Sequence, residues 1–255
     1  TTPTMESSSS LYYLDLESME WHQVQVQTPV EDCNDIGDGN KNHQEWPKCR
    51  NSQGAALSGS KWVIFGGANE SIGPMEDFWW FDLEAMVWHE INVSGNVNVS
   101  TNDNAAKKPC AREMHTLCSD PENDCVYLLG GRKEGGGVCQ DFWVYNFEQG
   151  SWIELDAPPS PRCAHTAILN QSKFIDAIGG WDGKGIIFDD CISYNVETGK
   201  WATDSNTIVE EEEGHAGFES RLAHCSCLLS DGRVLIAGGV NAEKNFSDIC
   251  IVERM

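Results

Sequence analysis

Residues 126–152 read VYLLGGRKEGGGVCQDFWVYNFEQGSW, and the order of residue types in this stretch decides the fold. A short apolar run, Val126 to Leu129, ends on Gly130 and Gly131. Asp141 follows 10 residues after the second glycine, a strand-like segment carries Tyr145 at its centre, and Trp152 stands 21 residues after Gly131. Short apolar runs that alternate with period two, separated by turn residues, predict antiparallel strands.

The same order recurs along the chain. WVIFGG ends at Gly67, FIDAIGG at Gly180 and VLIAGG at Gly239, so that the glycine pair returns every 49 to 64 residues. Asp77, Asp141 and Asp190 each lie 10 residues beyond the second glycine, and Trp88, Trp152 and Trp201 each lie 21 beyond it. Phe81, Tyr145 and Tyr194 share one slot between them. A unit of four short strands cannot close a core by itself. A period near 50 residues therefore predicts sheets stacked radially, a β-propeller in which neighbouring blades bury one another's faces and the repeated Trp fills the space between them.

An Arg-x-x-His element opens the units at Arg112–His115, Arg162–His165 and Arg221–His224, while the first unit reads Arg50–Gln53 with glutamine in the histidine slot. With these residues the chain closely resembles the kelch repeat family over nearly its whole length. The expected fold is an all-β, kelch-type propeller of four-stranded antiparallel blades in a single domain, 1–255, with about five blades represented. Full blades are expected over 50–88, 112–152 and 162–201, and partial blades over 10–21 and 221–253. Pairing the two ends would leave a surplus third strand, so the expectation is a fragment of a larger ring.

Composition narrows the partners. Lys plus Arg number 17 against 40 Asp plus Glu, a net charge of −23 that argues against nucleic acid and anionic membrane surfaces. The apolar runs are far shorter than the ~20 residues of a membrane-spanning helix, and TTPTMESSSS carries no charged-then-apolar leader. Eleven cysteines scattered through apolar segments read mostly as buried thiols of a reducing, cytoplasmic compartment. Five Asn-x-Ser/Thr triplets, at Asn69, Asn92, Asn98, Asn170 and Asn245, keep a secretory alternative open.

Loop lengths sort by face. The first-to-second and third-to-fourth turns are short, whereas the second-to-third turns and the blade crossovers, among them 22–49, 89–110 and 202–220, are long and lie on the other face. Long loops on a rigid scaffold are where binding concentrates. Candidate binding residues there are Arg50, Arg112, Arg162 and Arg221 at the openings of the innermost strands, Trp46 and Trp181 in loops, and the acidic run Glu210, Glu211, Glu212 and Glu213. The arginines either converge on an anion or are neutralised by carboxylates such as those of the Asp slot. The tryptophans either anchor a partner or pack their own loops. The glutamates either attract a basic segment or are solvated tips.

No catalytic motif stands out. GxSxG, HExxH and phosphate-loop patterns are absent, the acidic stretch 34–45 misses a calcium ligand at Ile36, and Cys225 with Cys227 lacks a second pair at zinc-ribbon spacing. All five tyrosines fall in repeat strands, which argues against the copper-radical chemistry of some propellers of this architecture. No cofactor and no metal are expected. The resemblance implies a non-catalytic protein-binding module, adaptor or scaffold, with a mutarotase-like sugar enzyme as the alternative.

Overall fold

The computed structural model describes residues 10–24, 46–92, 107–170, 173–202, 207–209 and 218–254. Among them the chain is strand and turn, with one 3-10 turn at Glu134–Gly136. A hairpin of β1 (Tyr12–Asp15) and β2 (Glu20–Gln23) comes first. The first four-stranded blade contains β3 (Gly54–Ser58) and β4 (Lys61–Phe65), then a small ribbon of β5 (Ala68–Asn69) and β6 (Gly73–Pro74), then β7 (Phe78–Asp82) and β8 (Val87–Glu90). The second has β9 (Thr116–Asp120), β10 (Cys125–Leu129), β11 (Phe142–Asn146) and β12 (Ser151–Leu155). The third has β13 (Thr166–Asn170), β14 (Phe174–Ile178), β15 (Cys191–Asn195) and β16 (Lys200–Trp201). The fourth consists of β17 (Thr207–Val209), β18 (Cys225–Leu228), β19 (Val234–Ala237) and β20 (Ile249–Arg254). All pairings within the blades are antiparallel, and the inner strands β3, β9, β13 and β18 touch in succession. The four blades are thus arranged as a β-propeller.

The fourth blade differs from the sequence expectation of three strands over 221–253. Its outer edge is filled from upstream: Val209 pairs with Val252 and Thr207 with Arg254. An edge strand offers unpaired N–H and C=O groups to whatever backbone lies close, and hydrophobic spacing does not encode which segment takes them.

The cores lie between blades. Val63, Phe65 and Phe78 of the first blade pack against Leu117, Leu128, Tyr145 and Trp152 of the second, and Phe142 of the second packs against Ile175, Ala177 and Tyr194 of the third. Trp152 sits 5.2 Å from Phe78 and 5.5 Å from Phe65, ring centre to ring centre. Trp201 repeats that placement at 5.2 Å from Phe142.

The glycine pair has a cause in the neighbouring blade. Gly130 has φ +60°, and a Cβ there would stand 2.2 Å from the carbonyl oxygen of Arg162; at Gly66 the corresponding distance to the Arg112 oxygen is 2.6 Å. The second glycine donates its N–H to the same carbonyl, Gly131 to Arg162 and Gly67 to Arg112, both at 2.9 Å. Only a residue without a side chain lets the two backbones meet.

Cys118, Cys125, Cys139 and Cys163 are buried free thiols and Cys191 is buried, whereas Cys110, Cys225 and Cys227 are exposed and Cys49 is disulfide-bonded. Two of the Asn-x-Ser/Thr asparagines spend their amides internally. Asn69 donates to the Cys49 carbonyl at 2.8 Å, and buried Asn170 donates to Asp176, which also accepts from Ser193.

Candidate functional site

Each innermost strand begins just past an arginine, and the structure settles where those arginines point. Arg112 and Arg162 are fully buried, Arg221 is 1% exposed and Arg50 7%. Each forms a forked pair with its own blade's aspartate: Arg50 with Asp77 at 2.8 and 2.6 Å, Arg112 with Asp141 at 2.6 and 2.7 Å, Arg162 with Asp190 at 3.1 and 3.4 Å, Arg221 with Asp248 at 2.7 and 3.0 Å. A further N–H of each goes to the carbonyl of the first glycine, as from Arg112 to Gly130 at 2.9 Å. The converging anion site is therefore not what Arg50, Arg112, Arg162 and Arg221 build. Burying a guanidinium demands a partner charge and satisfied donors, and the Asp slot supplies both. Burial works against the charged form of Asp141, yet the Arg112 hydrogen bonds and charge hold its carboxyl below the usual range.

Three residues on from the arginine, His115, His165 and His224 are buried and reach the preceding blade. His165 Nε2 meets Thr116 Oγ1 and His224 Nε2 meets Thr166 Oγ1, each at 3.0 Å, while His115 Nε2 accepts the Gly54 N–H at 3.2 Å. Burial, with the nearby arginine charge next, pushes His115 down to about 3, His224 down to about 4, and His165 well below its ordinary value. They are neutral fasteners between blades.

Between arginine and histidine, Ser52, Met114, Ala164 and Ala223 all have φ between 52° and 55°. This left-handed backbone is uncommon for such residues, and its return is a chain of main-chain bonds around the axis. Met114 N–H donates to the Ser52 carbonyl, Ala164 to Met114 and Ala223 to Ala164, each at 2.8 Å.

Above this belt, the described residues of the long-loop face form a rim of main-chain bridges. In every blade the residue after the arginine bridges the residue after the glycine pair, which in the last three bridges back to its own loop: Glu113, Arg132 and Val138; Cys163, Trp181 and Ile187; Leu222, Val240 and Asn245. The first blade has Asn51 against Ala68, with β5 and β6 completing the ribbon. One backbone plan thus displays different side chains at equivalent places. Arg132 and Glu113 form an ion pair at 2.7 Å, half-buried Trp181 stands in the equivalent position one blade on, and the loop tips expose Ile72 at 52% and Ile186 at 59%.

Of the sequence candidates, Trp181 belongs to this rim. Trp46 does not join it: it packs at the flank with Leu11, Trp62 and Trp88, lining a cleft with Arg50 and Gln53. Glu210, Glu211, Glu212 and Glu213 lie outside the described residues. Sequence reasoning misses Asp248, Arg132, Glu113 and Ile186. Asp248 falls one residue short of the aspartate spacing, and the rim residues vary in type, so only the bridge register reveals them.

Comparison with known proteins places these features in a family. A model described as the KLHDC2/KLHL20/DRC7 Kelch-repeats domain matches residues 96–253. Kelch-like protein 41a of Danio rerio is 23% identical over 67% of the chain, which spans 24% of that protein. F-box/kelch-repeat protein At1g51550 of Arabidopsis thaliana is 24% identical over 79% of the chain, which spans 42% of it. Serine/threonine-protein phosphatase BSL2 of Arabidopsis thaliana is 23% identical over 99% of the chain, which spans 24% of it. The chain thus covers well under half the length of these relatives. With glycine pairs and paired Arg and Asp recurring through four β-sheets and the repeat Trp in three of them, the chain belongs to the kelch repeat family.

Proposed function

We propose that this chain is a non-catalytic recognition propeller that holds a protein partner on its rim of crossover and second-to-third loops. The observation that carries the reading is the repeated ribbon: a constant backbone presenting Ala68, Arg132, Trp181 and Val240 at one slot and Asn51, Glu113 and Leu222 at the next, with Cys163 buried at that slot in the third blade. Fixed geometry with variable side chains suits selection of a partner's surface. The Arg–Asp pairs and neutral histidines below the rim are occupied by the fold, which disfavours the sugar-enzyme alternative: an acid or base free to move a proton is what that chemistry needs. The phosphatase name belongs to a protein of which this chain spans 24%.

The partner is a protein rather than nucleic acid or membrane, consistent with the net charge of −23, and the setting is cytoplasmic. Glu210 to Glu213 attract a basic segment of that partner. A photo-crosslinking residue at Ile186 or Ile72 is expected to capture partner from cell extract, with Glu148 on the short-turn face as control. Replacing the four glutamates by glutamine flattens the salt dependence of capture. Capture from position 148 alone would overturn the choice of face.

A further inference from the structure

The four arginine slots differ in what surrounds the guanidinium. The residue two before the arginine is Lys48, Cys110, Ser160 and Glu219 in turn, and the residue two before the paired aspartate is Met75, Cys139, Phe188 and Phe246. In the third and fourth blades the latter position is a ring stacked on the guanidinium, Phe188 at 4.3 Å from Arg162 and Phe246 at 3.9 Å from Arg221. In the second blade both positions are cysteine. Arg112 Nη2 donates to Cys110 Sγ at 3.3 Å, as Arg162 Nη2 does to Ser160 Oγ at 2.8 Å. Cys139 holds the slot from which Phe188 and Phe246 reach their guanidiniums, so both thiols border Arg112 and lie close enough to act on one another. Both are free; Cys110 is exposed and Cys139 buried.

We propose that Cys110 and Cys139 form a dithiol site that a hydroperoxide oxidises to a disulfide, pinning the end of the second crossover to the loop between β10 and β11. Exposed Cys110 meets the oxidant. Its sulfur attacks one peroxide oxygen, the S–O bond forms as the O–O bond breaks, and water leaves after proton transfer, giving a sulfenic acid. Cys139 sulfur then attacks that sulfur, the S–S bond forms, the S–O bond breaks, and the departing hydroxide takes the Cys139 proton as water. Two thiols and one hydrogen peroxide become one disulfide and two waters: each sulfur loses one electron and the peroxide gains two. The Arg112 guanidinium faces Cys110 as negative charge develops on it, and Asp141 keeps that cation in place. Burial holds Cys139 protonated, pushed up to about 11, so it serves as the resolving thiol behind Cys110.

The test treats the reduced full chain with stoichiometric hydrogen peroxide, blocks remaining thiols by alkylation, and maps peptides by mass spectrometry. The expected product has lost two hydrogens, yields a linked peptide joining Cys110 to Cys139, and returns to two thiols with dithiothreitol. Cys110→Ser copies Ser160 and Cys139→Met copies Met75, so each keeps a side chain this fold already accepts at the equivalent place, and neither variant forms the link. The proposal falls if the new link joins other cysteines, such as Cys225 to Cys227, if Cys110 proceeds to sulfinic acid while Cys139 remains open to alkylation, or if peroxide leaves Cys110 unchanged. The peptide map is read on the parent chain, so the outcome stands even where a variant fails to fold.

Discussion

Arg112 has no contact with solvent, and its value to the fold lies in two carbonyl bonds and a forked carboxylate. Removing one partner of a buried pair leaves the other charged and unmatched, which costs about 3–5 kcal/mol. Arg112→Met is expected to lower stability by that amount in chemical denaturation. An unchanged midpoint would mean that Asp141 finds solvent instead. The histidines give a second residue-scale expectation. The unfolded chain takes up protons near pH 6.5, whereas folded His115 and His224 resist them down to about 3 and 4. Their stabilisation is therefore complete above the unfolded pKa and drains as pH falls toward the folded values, at about 1.4 kcal/mol per pH unit for each histidine. Below pH 6 the denaturation midpoint should fall steeply, and His165→Gln, copying Gln53, should make the fall shallower. A parent protein equally stable at pH 7 and pH 5 would contradict this.

The blade is the element most legible in the sequence. Spacing alone places Trp152 and Tyr145 between sheets, and they pack together against Phe78. Trp152→Ala is expected to cost about 3–5 kcal/mol, since the rings around it cannot collapse into so large a void. Trp152→Phe should cost less, because Trp152 Nε1 is buried without a hydrogen-bond partner and phenylalanine removes that orphan donor. Denaturant titration of both variants checks the order, and equal losses would refute it. What spacing does not reveal has a physical pattern. The outer strand of the fourth blade comes from Thr207–Val209, a segment with no Trp to mark it, and Asp248 breaks the aspartate interval while keeping its arginine. The arginines are legible as repeated residues and not as ion pairs, because a charge in sequence carries no direction. The rim is legible only through main-chain bridges, where side-chain identity is free to differ.

At the scale of the molecule, a charge of −23 sets every acidic crossover against the others. Screening should relieve that repulsion, so raising salt from about 10 to about 150 mM shortens the reach of each charge from ~30 to ~8 Å and should raise the melting midpoint by a few degrees. A midpoint that falls instead would show the paired charges outweighing the unpaired ones. The belt of main-chain bonds through Ser52, Met114, Ala164 and Ala223 bears on a different matter. It consists of amide groups that every residue but proline supplies, so the angular pitch from blade to blade is independent of the letters written on the rim. On the proposed reading of the rim, heredity can therefore rewrite specificity one blade at a time, with the chain of bonds that carries the writing left unaltered.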